Sequence, residues 1–218
     1  MNDVSTEPTG TLAPLPRTRH WLTRETVVPS HRARLLDAMA EAVATKGYGA
    51  TTVADVVAIA GVSRRTFYEH YGDKEACFLA AFDAGLDFLL GEIEGALERL
   101  GEADWRMRAA VGIEAYLAGL TSAPALTRMF TIEALGAGPR ARERRAAVLA
   151  RWVAQWSALQ RRARRQDPSI PEASNDRLLA LVGGIEELVR DCLLTRGPER
   201  LPELAGAATA IAISTLAG

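Results

Sequence analysis

Two short helical patterns joined by a glycine turn constrain the fold of this chain more than any other feature. The first pattern repeats valine and isoleucine at helical spacing after Thr52, a residue type that caps helix amino termini. Gly61 can adopt the positive φ of a sharp turn, and Ser63 can cap a second helix that ends near Gly72. The segment therefore predicts a helix-turn-helix unit.

The second helix has two different faces. Phe67 and Tyr71 lie four residues apart and can pack inward together. The opposite face carries arginine, threonine, tyrosine and histidine, which suit a nucleic-acid surface. Asp73 can cap the next helix, which places Lys74 at an amino terminus where free amides favour a phosphate. The segment thus combines a packing face with anion-seeking groups.

Four short motifs follow in order between about residues 32 and 82: GY at 47–48, TTV at 51–53, AGVS at 60–63 and YEHY at 68–71. Together they resemble the TetR family of bacterial transcriptional regulators. The resemblance implies an all-α fold, with an amino-terminal three-helix DNA-binding domain and a carboxy-terminal helical domain for ligand binding and dimerisation. It also implies DNA contacts for eight residues: Thr52, Ser63, Arg64, Arg65, Thr66, Tyr68, His70 and Lys74.

The paired arginines depart from the family pattern, since many members have a small residue at the position of Arg65. An arginine fork can bond guanine O6 and N7, which discriminates by about 1 to 3 kcal/mol. The sequence leaves open whether Arg64 or Arg65 does so. Tyr68, His70 and Lys74 suit phosphates, which fix register without reading bases, and Thr66 suits either role.

The overall charge does not indicate nucleic-acid binding. The 218 residues are 48% hydrophobic and 24% charged, as in globular proteins, and the net charge is −1. A positive footprint must therefore be local. Residues 17–74 contain nine Lys or Arg and six acids, an excess of three that a homodimer would double.

The remaining composition excludes several classes of site. Cys77 and Cys192 have no metal or redox spacing, so we expect core residues and no cofactor; redox sensing stays an alternative. No apolar run reaches about 18 residues, so we expect no membrane partner and a cytoplasmic location. An all-helical enzyme is the rival class, but the three histidines (His20, His31 and His70) leave the carboxy-terminal half without one.

Composition also suggests domain boundaries. Residues 1–29 are rich in threonine and proline and predict a flexible arm, whose basic stretch 17–21 could enter a minor groove. We expect the DNA-binding domain over 30–75 and the helical ligand-binding and dimerisation domain over 76–218. A long helix from Asp73 to about Leu100 belongs to both domains, so it is the expected transmission element.

Further helices are predicted at 105–122, 124–135, 139–165, 172–195 and 202–216. Their large apolar side chains, with one acid as a polar handle, predict a pocket for a small apolar or aromatic effector. The candidate lining residues are Phe82, Leu86, Trp105, Tyr116, Met129, Phe130, Glu133, Trp152 and Trp156. The alternative is that these side chains fill the core of a ligand-independent regulator.

The last two helices contain a continuous apolar stripe that predicts a four-helix dimer interface. Its residues are Leu178, Leu181, Val182, Ile185, Leu188, Val189 and Ile211. The alternative is that the stripe closes the core of one protomer. Residues 140–165 also hold nine arginines and a single acid, Glu143, which suggests either a solvated helix face or a second nucleic-acid surface.

These patterns predict a ligand-responsive, homodimeric repressor that binds double-stranded DNA at an inverted-repeat operator. Repression is implied by the family resemblance alone, not by the residues.

Overall fold

A computed structural model describes residues 29–218, and within that range the chain folds into nine α-helices and two short 3₁₀ segments. The all-α prediction is confirmed. The helices are α1 (His31–Lys46), α2 (Val53–Ala60), α3 (Arg64–His70), α4 (Lys74–Leu100), α5 (Trp105–Ser122), α6 (Pro124–Thr131), α7 (Pro139–Gln166), α8 (Asn175–Thr195) and α9 (Ala205–Ala217). The 3₁₀ segments, Glu133–Leu135 and Pro198–Leu204, precede α7 and α9. The arm expected over 1–29, with its basic stretch, lies outside the described residues except for Pro29.

The first four helices begin at side-chain caps, and the sequence predicts three of them: Thr52, Ser63 and Asp73. The hydroxyl of Ser30 accepts a hydrogen bond from the Ala33 amide at 3.2 Å, and Asp73 accepts one from the Ala76 amide at 2.7 Å. Gly61 closes α2 in the left-handed conformation, with φ 61° and ψ 41°. Each cap satisfies an amide or carbonyl that the helix itself leaves free, so local chemistry sets these boundaries.

The helix-turn-helix packs on one apolar core. Leu35 and Met39 of α1 meet Phe67 of α3 and Phe78 of α4, and all four are completely buried. Cys77 belongs to the same core, where burial raises the pKa of its thiol to about 12. A thiol that stays protonated is a poor nucleophile, which favours the core interpretation of this cysteine over redox sensing.

Helix α4 continues from this core into the carboxy-terminal region without a break. At Gly85, a Cβ atom would lie 2.3 Å from Cδ1 of Leu126, so α6 packs directly against the backbone of α4. Glycine at this position therefore allows the close approach of the two helices.

Two further apolar clusters hold the carboxy-terminal helices. One joins α5, α8, α9 and the second 3₁₀ segment around Leu117, Val189 and Leu201, which are fully buried. The other surrounds Trp105 at the first turn of α5 and includes Leu216 of α9. Among residues 29–218 no single helix is long and apolar enough to cross a membrane; only α5 with the segment 124–135, bent by 106°, passes as a pair.

Ion pairs cover much of the basic surface of α7. They are Arg140–Glu75 (3.0 Å), Arg144–Asp83 (3.4 Å), Arg151–Asp87 (3.6 Å), Arg164–Glu172 (3.2 Å) and Arg145–Glu186. The first three connect α7 to α4. Five of the nine arginines thus have acidic partners within the protomer, which argues against a second nucleic-acid surface on this helix. Exposed pairs of this kind contribute roughly 0.2 to 1 kcal/mol each.

Candidate DNA-binding surface and ligand cavity

Helix α3 is held at its start by two hydroxyl groups. The amide of Thr66 donates to Oγ of Ser63 at 3.0 Å, and the two hydroxyl oxygens lie 2.9 Å apart. Both residues are expected DNA contacts, so their present hydrogen bonds fix the helix that carries the other contacts. Ser63 is exposed and Thr66 is half-buried.

The two faces of α3 lie as the sequence indicates. Phe67 is completely buried, whereas Arg64, Tyr68 and His70 are exposed. The side chain of Arg65 is 89% exposed, and its Nε donates to Oε1 of Glu69 at 3.0 Å. Basic and aromatic groups can therefore reach a bound duplex from a helix that is anchored on its other side.

A capping box fixes the amino terminus of α2. The hydroxyl of Thr52 donates to Oδ2 of Asp55 at 2.8 Å and accepts from the Asp55 amide at 3.3 Å. The hydrogen bond from the Lys46 ammonium is the main cause that holds the pKa of Asp55 at about 2. Asp55 therefore stays ionised, and Thr52 is positioned on an exposed edge of the unit.

Lys74 differs from its expected role. Its ammonium donates to the carbonyl oxygens of Tyr48 at 2.8 Å and Thr51 at 2.9 Å, and it lies 4.2 Å from the centroid of the Tyr48 ring. The side chain is thus turned toward the connection between α1 and α2. In this geometry its charge stabilises the helix-turn-helix unit from within.

Arg34 has a structural role that the sequence interpretation counted only as charge. Its Nε donates to the carbonyl of Ala60 at 2.9 Å, and its Nη2 donates to the carbonyl of Gly61 at 2.6 Å. These are the free carbonyls at the end of α2, where a cation is favourable. The sequence showed only that a basic residue lies near the start of α1. That does not identify its partner, the carbonyl of Ala60, which is 26 residues away.

Glu133 links the amino-terminal unit to the rest of the protein. Its Oε2 accepts a hydrogen bond from the Tyr48 amide at 3.0 Å, and its Oε1 lies 4.0 Å from Nε of Arg128. Arg190 of α8 also donates to the carbonyl of Thr131 at 3.0 Å. The residue expected as a polar handle for the effector is therefore placed at a joint between the two regions.

A cavity of about 350 Å³ lies between α4, α5, α7 and α8. Three of the nine predicted pocket residues, Tyr116, Trp152 and Trp156, line it. The rings of Tyr116 and Trp152 meet edge to face with centroids 5.5 Å apart. Such an apolar and aromatic lining suits a small organic ligand.

The other six predicted pocket residues lie elsewhere. Phe82, Met129 and Phe130 pack around the core that α4 and α6 share with α1, where the rings of Phe82 and Phe130 are 4.4 Å apart. Leu86 is buried, Trp105 lies in a separate cluster, and Glu133 is at the joint. Periodicity identifies a buried helix face, but it does not say which helix covers that face.

The sequence interpretation missed most of the residues that line the cavity. Those residues are Leu90, Ile93, Glu94, Leu97, Arg108, Ala109, Gly112, Ile113, Gln155, Ala158, Leu159, Arg162, Arg165, Val182, Ile185 and Glu186. Many of them extend the apolar faces of α4, α5 and α7 beyond the aromatic positions, which was the available signal.

Two titratable groups at the aromatic end of the cavity are affected by burial. Burial raises the pKa of Glu186, and the neighbouring Arg145 guanidinium, with which it pairs, partly opposes that effect. The pKa of Tyr116 is also raised, mainly by burial and then by the nearby Glu186 charge. The phenol is therefore a neutral hydrogen-bonding group.

The predicted dimer stripe needs correction. Leu178, Leu181, Val182, Ile185 and Val189 are at most 7% exposed within one protomer, so the stripe closes the protomer's own core. Leu188 is half-buried and only Ile211 is exposed. The outward face of α8 instead presents Leu179, Gly183 and Leu194, and Leu179 and Leu194 are nearly half exposed.

Comparison with known proteins supports the interpretation of the amino-terminal unit. Residues 35–81 match the family described as bacterial regulatory proteins, tetR family. The HTH-type transcriptional regulator EthR of Mycolicibacterium smegmatis is 31% identical over 136 residues, 62% of this chain and 58% of its own length. The HTH-type transcriptional activator FasR of the same organism is 32% identical over 80 residues, 37% of this chain and 36% of its own. The alignments thus cover less than two thirds of either relative.

Solved structures share the fold over most of the chain. The fatty acid degradation regulator FadR of Bacillus halodurans has a TM-score of 0.76, with 15% identity over 86% of this chain and 97% of its own. FadR of Bacillus subtilis, solved in complex with stearoyl-CoA, has a TM-score of 0.73 and 18% identity, covering 84% and 97% of the two chains. At these identities the likeness establishes the fold alone.

Proposed function

We propose that this chain, which belongs to the TetR family of bacterial regulatory proteins, is a sequence-specific DNA-binding transcriptional regulator and not an enzyme. The observation that carries the proposal is α3, a capped helix anchored by Phe67 that exposes Arg64, Arg65 and Tyr68. Its proposed target is chromosomal DNA, so we also propose a cytoplasmic location.

The regulator acts as a homodimer on an inverted repeat. The proposed contact surface is the outward face of α8, with Leu179, Gly183 and Leu194, together with Ile211 of α9. Small residues allow helices of two protomers to approach closely, and the exposed leucines supply apolar area. The symmetry of the dimer would place two copies of α3 on half-sites about 34 to 36 Å apart, or a multiple of that spacing.

Residues 30–75 form the proposed DNA-binding domain and residues 76–218 the ligand-binding and dimerisation domain. The long helix α4 connects them, since Asp73 caps it beside α3 and Leu90 and Ile93 line the cavity. The arm over 1–29 is proposed to support DNA binding through its basic residues.

A small molecule in the cavity controls DNA affinity in this proposal. The FadR structure with stearoyl-CoA is a precedent in a protein of the same fold. A ligand shifts the DNA equilibrium only by the difference between its affinities for the DNA-binding and released conformations. Such a difference can be transmitted by α4 and by the hydrogen bond that the Tyr48 amide donates to Glu133.

Repression with release by the effector is the proposed direction of control. Activation is the second candidate, because one relative is an activator. Transcription in vitro from a promoter that carries the selected site separates them: added protein lowers transcript yield if it represses and raises it if it activates. The ligand-independent alternative predicts that no compound bound in the cavity changes DNA affinity.

Selection of bound sequences from a random duplex pool tests the DNA-binding proposal. The wild-type protein should enrich an inverted repeat at a fixed salt concentration, and the Arg64→Ala/Arg65→Ala variant should lose that enrichment. Arg142→Ala is the matched control, because Arg142 is exposed on α7 with no ion pair to a described residue. A folded dimer that enriches no sequence would overturn the proposal.

A further inference from the structure

We propose that the effector carries an anionic group, which Arg108, Arg162 and Arg165 bind at one end of the cavity. This inference rests on the proposed ligand role of the cavity and names the chemical class of its occupant. The occupant is an amphipathic acid, with a carboxylate or phosphate joined to an apolar chain or ring system. The sequence alone indicated an apolar or aromatic molecule.

The three arginines lie at the same end of the cavity. There α4 ends, α5 begins and α7 ends, and the Trp105 amide donates to Oε1 of Gln166 at 3.0 Å. Arg108 donates to the carbonyl of Gly101 at 3.1 Å, and Arg162 donates to the carbonyl of Ala103 at 3.3 Å. Both guanidinium groups are thus tied to the short connection between α4 and α5.

These arginines, one from α5 and two from α7, also differ from five other arginines of α7. Five arginines of that helix pair with acids of α4, α8 or the segment after α7. By contrast, Arg108, Arg162 and Arg165 form no ion pair with any acid among residues 29–218. Nε of Arg162 is moreover buried without a hydrogen-bond partner in that range. A buried donor without a partner is costly, so a bound acceptor would stabilise it.

The rest of the cavity is apolar and elongated. From Arg108 to Tyr116, α5 rises about 12 Å, and from Trp152 to Arg162, α7 rises about 15 Å. Both pairs line the cavity, and so do the apolar side chains of Leu97, Ile113 and Leu159. A molecule that fills this shape has its charge at one end and apolar atoms along its length.

Two acids also line the cavity, and neither cancels the arginine cluster. Glu186 lies at the aromatic end and pairs with Arg145, which is outside the lining. Glu94 is exposed at the rim. Among residues 29–218, the lining thus combines three arginines that have no acidic partner with one exposed acid that has no basic partner. This excess of positive charge favours an anion over a cation.

Matched ligands test the charge preference. Decanoate, 1-decanol and decylamine differ in the head group but not in the chain, and the change in tryptophan fluorescence reports binding because Trp152 and Trp156 line the cavity. At constant ionic strength we expect decanoate to bind about tenfold more tightly than decanol, since hydrogen bonds to charged groups are stronger than neutral ones. Decylamine should bind most weakly.

Variants test the residues. Arg108→Gln/Arg165→Gln and Arg162→Gln should each lower decanoate affinity about tenfold while decanol affinity stays within twofold of wild type. The unchanged decanol affinity shows that the cavity remains folded. Arg161→Gln is the matched control, because Arg161 is exposed beside Arg162 and, among residues 29–218, donates only to Oγ of Ser157.

Decanoyl-CoA distinguishes two sources of the anionic group. If decanoyl-CoA binds, decanoate does not, and the arginine variants lower the affinity for decanoyl-CoA, then the phosphates of the CoA group supply the negative charge. The inference holds in that case. Equal binding of acid and alcohol, tighter binding of the amine, or no binding of any probe overturns the inference. Binding to the selected DNA site is measured on the same samples, so loss of DNA binding with intact acid binding would count against the proposed function alone.

Discussion

The amino-terminal unit and the carboxy-terminal helices are specified in different ways. Within residues 29–218, each of α1 to α4 begins at a side-chain cap. Of the five later helices, α5 and α8 also do, whereas α6, α7 and α9 begin without one. The second group is instead positioned by contacts between distant residues, such as Gly85 with Leu126 and Arg151 with Asp87. Local capping fixes the start of α3, the helix that exposes Arg64 and Arg65, whereas α7, which lines the cavity, is positioned by its packing against other helices.

The largest expected effect contrasts the two faces of α8. Val189→Asp places a charge where the side chain is completely buried, so we expect a loss of several kcal/mol of unfolding free energy. Leu179→Asp changes an exposed position and should leave protomer stability nearly unchanged while it disrupts the dimer. Urea unfolding and sedimentation measure the two effects. A stable Val189→Asp protein that is monomeric would restore the original dimer assignment.

The next prediction concerns the close approach of α6 to α4. Gly85→Ala should lower the unfolding free energy by about 1 to 3 kcal/mol, because the new Cβ would collide with Leu126. Gly91→Ala is the control in the same helix, where no atom of residues 29–218 outside the neighbouring helix backbone lies within 4 Å of the added Cβ. That change should stabilise by about 0.5 to 1 kcal/mol, since alanine favours helix. Similar effects at both sites in thermal unfolding would contradict the packing argument.

The DNA-contacting residues should separate by role. Arg64→Ala or Arg65→Ala should lower the binding free energy on the selected site by about 1 to 3 kcal/mol and relax the preference at one base pair. Affinity measurements on the selected site and on single-base variants of it check this.

Lys74→Ala should weaken binding to all sequences alike. The original phosphate assignment predicts a salt slope lower by about 1, whereas the inward hydrogen bonds predict a loss of thermal stability of about 1 kcal/mol or more. Salt-dependent affinity and thermal unfolding of the same variant decide between these roles.

The smallest effect is expected at the joint between the regions. Glu133→Gln removes the charge but keeps an acceptor for the Tyr48 amide, so it should cost about 1 kcal/mol or less in stability. We expect it to reduce the change in DNA affinity on ligand binding while affinity for the cavity ligand stays the same. Glu143→Gln, on the exposed surface of α7, is the control. An unchanged ligand response in Glu133→Gln would show that α4 alone carries the signal.

Much of the amino-terminal unit could be predicted from sequence because its determinants are short-range. Thr52 and Asp55 form a capping box three residues apart, and Ser63 caps α3 by accepting a hydrogen bond from the amide of Thr66, also three residues away. The inward position of Phe67 follows from helical spacing. In contrast, the partners of Lys74 and Glu133 lie 26 and 85 residues away, and no local pattern identifies them.

The sequence by itself determined the helical fold, the starts of α2 to α4 and the exposed face of α3, because capping and periodicity act within a few residues. Only the tertiary structure decided which buried stripe faces which neighbour. It assigned Val189 to the protomer core, Trp105 to a separate cluster and Arg162 to the cavity. An apolar stripe records that a helix face avoids water, but the identity of the covering surface depends on how all the helices pack together.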